Sequence, residues 1–412
     1  MLRVTARKRR PHELWTVRIR TGSLKTFHSQ ENLMTDGFTR RKFLKNAGSS
    51  AGTCLLFGSS ALAMDGERSR DGGFDPTRTP LCTLAARKGL LYGTCATENK
   101  LTEQVYGDVV ARQCDLLVPE ASLKMDALRP TPDSFDFSRG DWLYDYAKQH
   151  GMQFRGHTLV WALALPHWFG SYANSQNAKE IMLNHVQKVV THYEGKMHSW
   201  DVINEALLQS DRRSDGLRNS PWLQLIGPDY IEMAFREAAA ADPHALLVWN
   251  ENTIEEDSAS GDDKRAHFLQ QLKSLLSRGA PVHAIGIQSH LVGDHTNIAG
   301  PHFERFLDEV SDLGLKILVS EMDVSDNKLP NDIAARDQAV ADQYYQYLSA
   351  VLARKSVVAV LTWGMSDKYT WIAKSNARPD KAPLRPLPYD SNMNPKPAWY
   401  AIARAIDNAP QR

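Results

Sequence analysis

HSWDVINEAL, residues 198–207, begins as a buried strand and ends on an acid. Ser199 to Val202 read as the end of the strand; Asn204 and Glu205 follow directly, and the chain turns apolar again at Ala206 and Leu207. A carboxylate at the end of a buried strand is costly unless it is paired or used. The stretch therefore asks for a partner for Glu205, and for a fold that brings strand ends together.

Seven other apolar runs resemble this one: GLLYGTCA (89–96), DLLVPE (115–120), QFRGHTLV (153–160), ALLVWN (245–250), HAIGIQS (283–289), KILVSE (316–321) and VVAVLTW (357–363). Between them lie segments of helical period. NHVQKVVTHY (184–193) sets Val186, Val189, Val190 and Tyr193 on one face, and IEMAFREAAA (231–240) and FLQQLKSLL (268–276) behave likewise. Gly151, Gly195, Gly279 and Gly314 stand where helices should end. Eight strand–helix repeats without a linker predict one α/β domain, a (β/α)8 TIM barrel over residues 89–408. A doubly wound open sheet is the alternative; it would usually carry a glycine-rich phosphate turn after its first strand, and GTCATENK has no G-x-G-x-x-G.

A barrel of this kind carries its active site at the C-terminal strand ends. Polar and aromatic residues collect there: Glu120 after the second run, His157 and Trp161 after the third, Asn204 and Glu205 after the fourth, Asn250 and Glu251 after the fifth. Gln288 and His290 follow the sixth, Glu321 and Asp323 the seventh, and Trp363 and Asp367 the eighth. One strand-end histidine or tryptophan is ordinary packing; a ring of them is not. The fourth and seventh strands lie on roughly opposite sides of the mouth, so Glu205 and Glu321 can face a shared cleft. Two carboxylates across a cleft suit glycoside hydrolysis. Asn204 stands ready to hold a sugar hydroxyl, and Trp161, Trp168, Trp363, Trp371 and Tyr172 suit stacking on pyranose faces. A divalent site built from His157, His290, Glu321 and Asp323 competes, but the chain has no HxH or HExxH pair there. No metal or other cofactor is expected. Serine chemistry would need a G-x-S-x-G elbow, which is missing.

The 412 residues are 42% hydrophobic and 24% charged, ordinary for a globular protein. The formal charge of +1 conceals an imbalance: residues 1–45 hold 12 basic and 3 acidic residues, the remainder 37 basic and 45 acidic. A mildly acidic body argues against a nucleic-acid partner. The basic leader has another explanation. TRRKFLK (39–45) matches the twin-arginine export pattern, an uncharged stretch runs from Asn46 to Ala63, and Ala61-Leu62-Ala63 offers a cleavage site. Residues 1–63 are thus expected to form a leader with Met34 as the true start. Residues 64–88 are expected to be a flexible lead-in, and the mature protein to be periplasmic or extracellular, free of the membrane and monomeric. Of four cysteines, Cys54 leaves with the leader; Cys82, Cys95 and Cys114 form no CxxC or Cys/His metal spacing. They read as small buried thiols, with a disulfide between two of them open in an oxidising compartment.

Several of these motifs together resemble the family 10 glycoside hydrolases, the retaining endo-β-1,4-xylanases. RGHTLVW (155–161), WDVINEA (200–206), GIQSHL (286–291), VSEMDV (319–324), LTWGMSDKYTWI (361–372) and NPKPAWYAI (394–402) are similar to that family's segments in the same order. The resemblance implies internal cleavage of xylan or xylo-oligosaccharides by double displacement. In that reading Glu205 is the acid/base and Glu321 the nucleophile. Asn204, His290 and Asp323 support them, and Glu120, Lys124, His157, Trp161, Gln288, Trp363 and Trp371 bind substrate. Three segments depart from the family pattern. E-N-x-x-K-W reads EASLKM (120–125), so Ala121 and Met125 replace an asparagine and a tryptophan. W-H-x-Q-L-P reads WALALP (161–166), with Ala162 and Ala164 for a histidine and a glutamine. N-D-Y-N reads NENT (250–253). The first two departures predict weaker binding on the glycone side, or a preference for decorated or shorter chains. A β-glucan or mixed-specificity glycanase, a dead xylan-binding barrel and a metal-dependent barrel enzyme are the alternatives; both carboxylates are present, which disfavours the second.

Overall fold

Buried runs of four to ten residues, several of them rich in Val, Ile and Leu, form strands covered on both faces, as parallel α/β sheets require. The computed structural model describes residues 73–294 and 298–412, together with two short strands, Thr16–Arg18 and Leu24–Thr26, that pair antiparallel. Met34, the twin-arginine segment 39–45 and the cleavage site 61–63 lie outside the described residues.

Asp71–Arg412 forms one compact unit. Its strands are β1 (Leu91–Ala96), β2 (Leu116–Pro119), β3 (Gln153–Gly156), β4 (Ser199–Asn204), β5 (Leu246–Glu251), β6 (Ala284–Ile287), β7 (Lys316–Ser325) and β8 (Val357–Thr362). Each pairs in parallel with the next, and β8 pairs with β1, so the sheet closes on itself. The main covering helices are α1 (Gln104–Gln113), α2 (Ser138–Gln149), α3 (Ala178–His192), α4 (Tyr230–Ala241), α5 (Ala259–Ser277), α6 (Pro301–Asp312), α7 (Ile333–Leu352) and α8 (Pro397–Asn408). Side-chain caps start two of them: Ser258 accepts from the Gly261 N–H at α5, and Asp332 from the Ala335 N–H at α7. The four expected helix-ending glycines all adopt positive φ. This is the (β/α)8 barrel.

Two cores result. The outer core fills the layer between sheet and helices; Trp200, Val202, Val186, Val189 and Val190 belong to it. The inner core fills the barrel with Cys95, Leu116, Val118, Val248, Ala284, Leu318, Ala359, Leu361 and Trp363. Asp201 lies in register with Val248 and so faces the same interior. There it forms a buried ion pair with Arg155, whose other nitrogen donates to Ser199 Oγ at 2.8 Å.

Three expectations change. The flexible lead-in over 64–88 ends sooner than expected, because helix Leu81–Arg87 buries Leu81, Leu84 and Ala85 in the outer core. The third run stops at Gly156 and resumes only at Val160–Trp161, which pair with β4. Between them, Thr158 Oγ1 and the Leu159 N–H both turn to the Asp201 carbonyl, at 2.8 and 2.9 Å. The seventh run continues to Ser325, because His290–Val292 add to its edge in register with Asp323–Ser325. Cys82, Cys95 and Cys114 are free thiols.

Candidate active site

Glu321 lies inside β7, 5% exposed, and its carboxylate is surrounded by donors. Asn250 Nδ2, at the end of β5, donates to Oε1 at 2.7 Å. His290 Nε2 lies 3.4 Å from Oε2, and His157 Nδ1 lies 3.9 Å from Oε1. Burial alone would push this carboxyl up. His157 and His290 nearby, with the bonds from His290 and Asn250, outweigh burial and hold it at about 2. Glu321 is therefore an anion across the working range of most proteins.

His290 is held in turn. Its Nδ1 donates to Asp323 Oδ1 at 3.0 Å, and Trp371 Nε1 donates to the other oxygen of Asp323 at 2.7 Å. Burial works against a charged imidazole, but Asp323 and Glu321 raise His290 well above the usual histidine range. His157 is also tied to a carboxylate: its Nδ1 lies 3.0 Å from Asp201 Oδ2, on the side chain that Arg155 pairs inside the barrel.

Glu205 sits in a different setting. It directly follows β4, is 6% exposed and has φ of 52°, a left-handed conformation unusual for a non-glycine residue. Gln288 Nε2 donates to Oε1 at 3.1 Å, and Arg218 Nη2 approaches Oε2 at 3.4 Å. Asn204 joins the two carboxylates. Its Oδ1 accepts from Asn250 Nδ2 at 2.8 Å and from Gln288 Nε2 at 3.4 Å, which leaves its amide nitrogen to donate. Ser320 Oγ donates to Asn250 Oδ1 at 2.6 Å and so fixes the Asn250 amide with its nitrogen toward Asn204 and Glu321. Gly286 makes room for this: a Cβ there would lie 2.1 Å from Asn250 Oδ1.

The other sequence-predicted residues surround this centre. Trp363 packs edge-on to His157 with centroids 5.3 Å apart, and Trp371 edge-on to His290 at 5.1 Å. Lys124 Nζ lies 4.9 Å from the centroid of the Trp161 ring, and Trp161 tilts toward His157 at 6.3 Å. Glu120 forms a close ion pair with Lys100. Gln288, expected to bind sugar, donates to Glu205 itself. Of the four trimmed positions, Met125 and Ala164 are buried, and the Ala164 carbonyl accepts from the Asp126 N–H at 3.1 Å. Ala121 and Ala162 are half-buried.

Sequence reasoning missed three things. Asn250 was visible as a strand-end amide, but nothing in the chain marked it as the bridge between the carboxylates. Arg218 and Ser320 carry no pattern: one lies in a long loop, the other in a strand. The candidate divalent set of the sequence, His157, His290, Glu321 and Asp323, pairs within itself and with Asp201. Among the described residues, the acidic and histidine ligand atoms that converge as a set of three within 4.8 Å are those of Asp257, Asp262 and His302.

One carboxylate held as an anion and a second on the facing strand, with amides between them, is the equipment of glycosidic-bond hydrolysis; barrel and carboxylate pair together point to a glycoside hydrolase. The sequence model described as glycosyl hydrolase family 10 matches residues 81–405, and the chain belongs to that family. It is 32% identical over 338 residues to the endo-1,4-beta-xylanase B of Thermotoga neapolitana, covering 81% of this chain and 93% of that one. It is 33% identical over 339 residues to the endo-1,4-beta-xylanase 1 of Humicola insolens, covering 80% and 75%. Among solved structures, xylanase 10B from Thermotoga petrophila RKU-1 in complex with xylobiose is similar with a TM-score of 0.73 and 32% identity, over 80% of this chain and 97% of that one.

Proposed function

We propose that the protein is an endo-β-1,4-xylanase that cleaves internal linkages of xylan by a retaining double displacement. The observation that carries the reading is the asymmetric carboxylate pair, Glu321 and Glu205, joined through Asn250, Asn204 and Gln288 in a family 10 barrel. Glu321, ionised and buried, attacks the anomeric carbon. Glu205 gives its proton to the departing glycosidic oxygen, then takes one from the water that releases the sugar from Glu321. The free nitrogen of Asn204 donates to the 2-hydroxyl of the reacting sugar, a bond that strengthens as charge develops at the ring. His290 and His157 balance the charge of Glu321. Trp161, Trp363 and Trp371 offer ring faces to xylose, and Glu120 and Lys124 offer polar contacts at the glycone rim.

Purified protein assayed for new reducing ends on xylan and on cellulose, with and without EDTA, tests this. Xylan cleavage that survives EDTA is expected; loss with EDTA, or a preference for cellulose, overturns it. The leader supports export by the twin-arginine route to the periplasm or medium, with translation from Met34. A precursor whose N-terminal sequence begins at Met1 would refute that start. The mature enzyme is expected to elute as a monomer in size-exclusion chromatography.

A further inference from the structure

Glu251 is a fully buried carboxylate that the chemistry above does not use. It ends β5, next to Asn250, and its two oxygens point to different partners. Oε1 accepts from the Leu207 N–H at 3.0 Å and from Trp249 Nε1 at 2.9 Å. Oε2 faces Lys264 Nζ at 2.9 Å, and Lys264, on α5, is 2% exposed and also donates to Asn252 Oδ1 at 2.8 Å. A buried ion pair is rarely kept for stability, because desolvation cancels most of its attraction. What this one reaches is the turn Glu205–Ala206–Leu207.

That turn has to be held. Glu205 has φ of 52°, a conformation an L-residue leaves unless its surroundings enforce it. The Glu205 N–H donates to the Asn250 carbonyl at 2.9 Å, and Arg218 Nε donates to the Glu205 carbonyl at 2.7 Å. The Arg218 N–H donates to the Ala206 carbonyl at 2.6 Å, and Glu251 takes the Leu207 N–H. We propose that Glu251, with Lys264 as its buried counter-ion, is a positioning residue: it fixes the turn that aims Glu205 at the glycosidic oxygen. The proposal rests on the reading of Glu205 as acid/base.

The test separates loss of acid aim from general damage through the leaving group. Xylan leaves as a poor alkoxide that needs a proton; 2,4-dinitrophenolate leaves from an aryl β-xylobioside without one. The variants Glu251→Gln/Lys264→Met and Glu251→Met/Lys264→Met both lack the buried charges and have similar volume; only the first keeps an acceptor for Leu207. The Met/Met enzyme should lose about 10–100-fold in kcat on xylan, the scale of a small misplacement, with KM and the first-turnover burst of dinitrophenol nearly unchanged. The Gln/Met enzyme should stay close to wild type on both substrates. Equal losses on both substrates, or no difference between the two variants, overturn the proposal. Glu205→Ala is the reference. If it spares the burst and slows xylan, the acid/base reading stands and the Glu251 result is decisive; if it slows both alike, that reading fails and the proposal with it. Should the Met/Met enzyme not fold, Glu251→Gln alone serves. Beside the Lys264 ammonium its amide oxygen turns to Lys264 and its NH2 faces the Leu207 N–H, so the same leaving-group split is expected and equal losses overturn the proposal.

Discussion

The surroundings of Glu321 and Glu205 differ in kind. Glu321 belongs to a strand interior and is held through its side chain, by one amide and one imidazole, with a second imidazole 3.9 Å away. Glu205 stands just past a strand end and is held mainly through its backbone, with an amide and a more distant guanidinium on its carboxylate. The first arrangement fixes a charge state. The second fixes a direction. The proposed mechanism calls for both kinds of control, because a nucleophile has to remain charged while an acid/base alternates.

The largest test of that contrast is Glu321→Ala. Turnover on xylan is expected to fall by about 10⁴–10⁶-fold, as when a nucleophile is removed elsewhere, and reducing-end assays read it directly. Asn250→Ala comes next, since Asn250 serves both sides: kcat on xylan should drop by about 10²–10³-fold, the scale for one lost preorganised donor, with folding checked by circular dichroism. His290→Ala tests the electrostatic half. It removes a partner that lowers the Glu321 carboxyl, so the acid limb of kcat/KM should move to higher pH than in wild type; an unmoved limb would show that His290 does not set the charge state of Glu321. Smaller effects are expected at the rim. Ala121→Asn or Ala162→His should lower KM for xylo-oligosaccharides by roughly two- to tenfold, one sugar hydrogen bond each.

The last test concerns stability. Burial pushes the Glu255 carboxyl up from 4.5 to about 7, with the Ile254 N–H 2.9 Å from its Oε2. A raised carboxylate contributes fully below its unfolded pKa, and that contribution is lost as pH rises through the folded value. Wild-type stability should therefore decline between about pH 4.5 and pH 7 by roughly 1–3 kcal/mol on this account, given about 1.4 kcal/mol per unit. Glu255→Gln should flatten that part of the profile, measured by urea unfolding at pH 5 and pH 8.

Much of this was legible in the chain. Buried runs such as SWDVIN and VVAVLT announce themselves, because both faces of a parallel strand must be apolar, and their number implied closure. The motifs around Glu205, His290 and Glu321 were legible because each lies immediately beyond or within such a run. The break after Gly156 was not, since it depends on bonds from Thr158 and Leu159 to one carbonyl on a neighbouring strand. Arg218 was hidden for the same reason: a loop side chain acquires its role only when the fold brings it back to Glu205. The trimmed positions looked alike in sequence, but packing separates them, with Met125 and Ala164 in the interior and Ala121 and Ala162 half-open.

The ion pair between Arg155 and Asp201 has a consequence for anyone redesigning this enzyme. Asp201 touches Arg155 on one oxygen and His157 on the other, and His157 lies 3.9 Å from Glu321. The barrel's filling and the surroundings of Glu321 thus share a single carboxylate. A thermostabilised variant that exchanged Arg155 and Asp201 for aliphatic residues would gain a drier interior and lose the anchor of a histidine beside the reacting group. Repacking this side of the barrel for heat tolerance is expected to lower catalytic rate, so engineering for endurance is better begun on the helices.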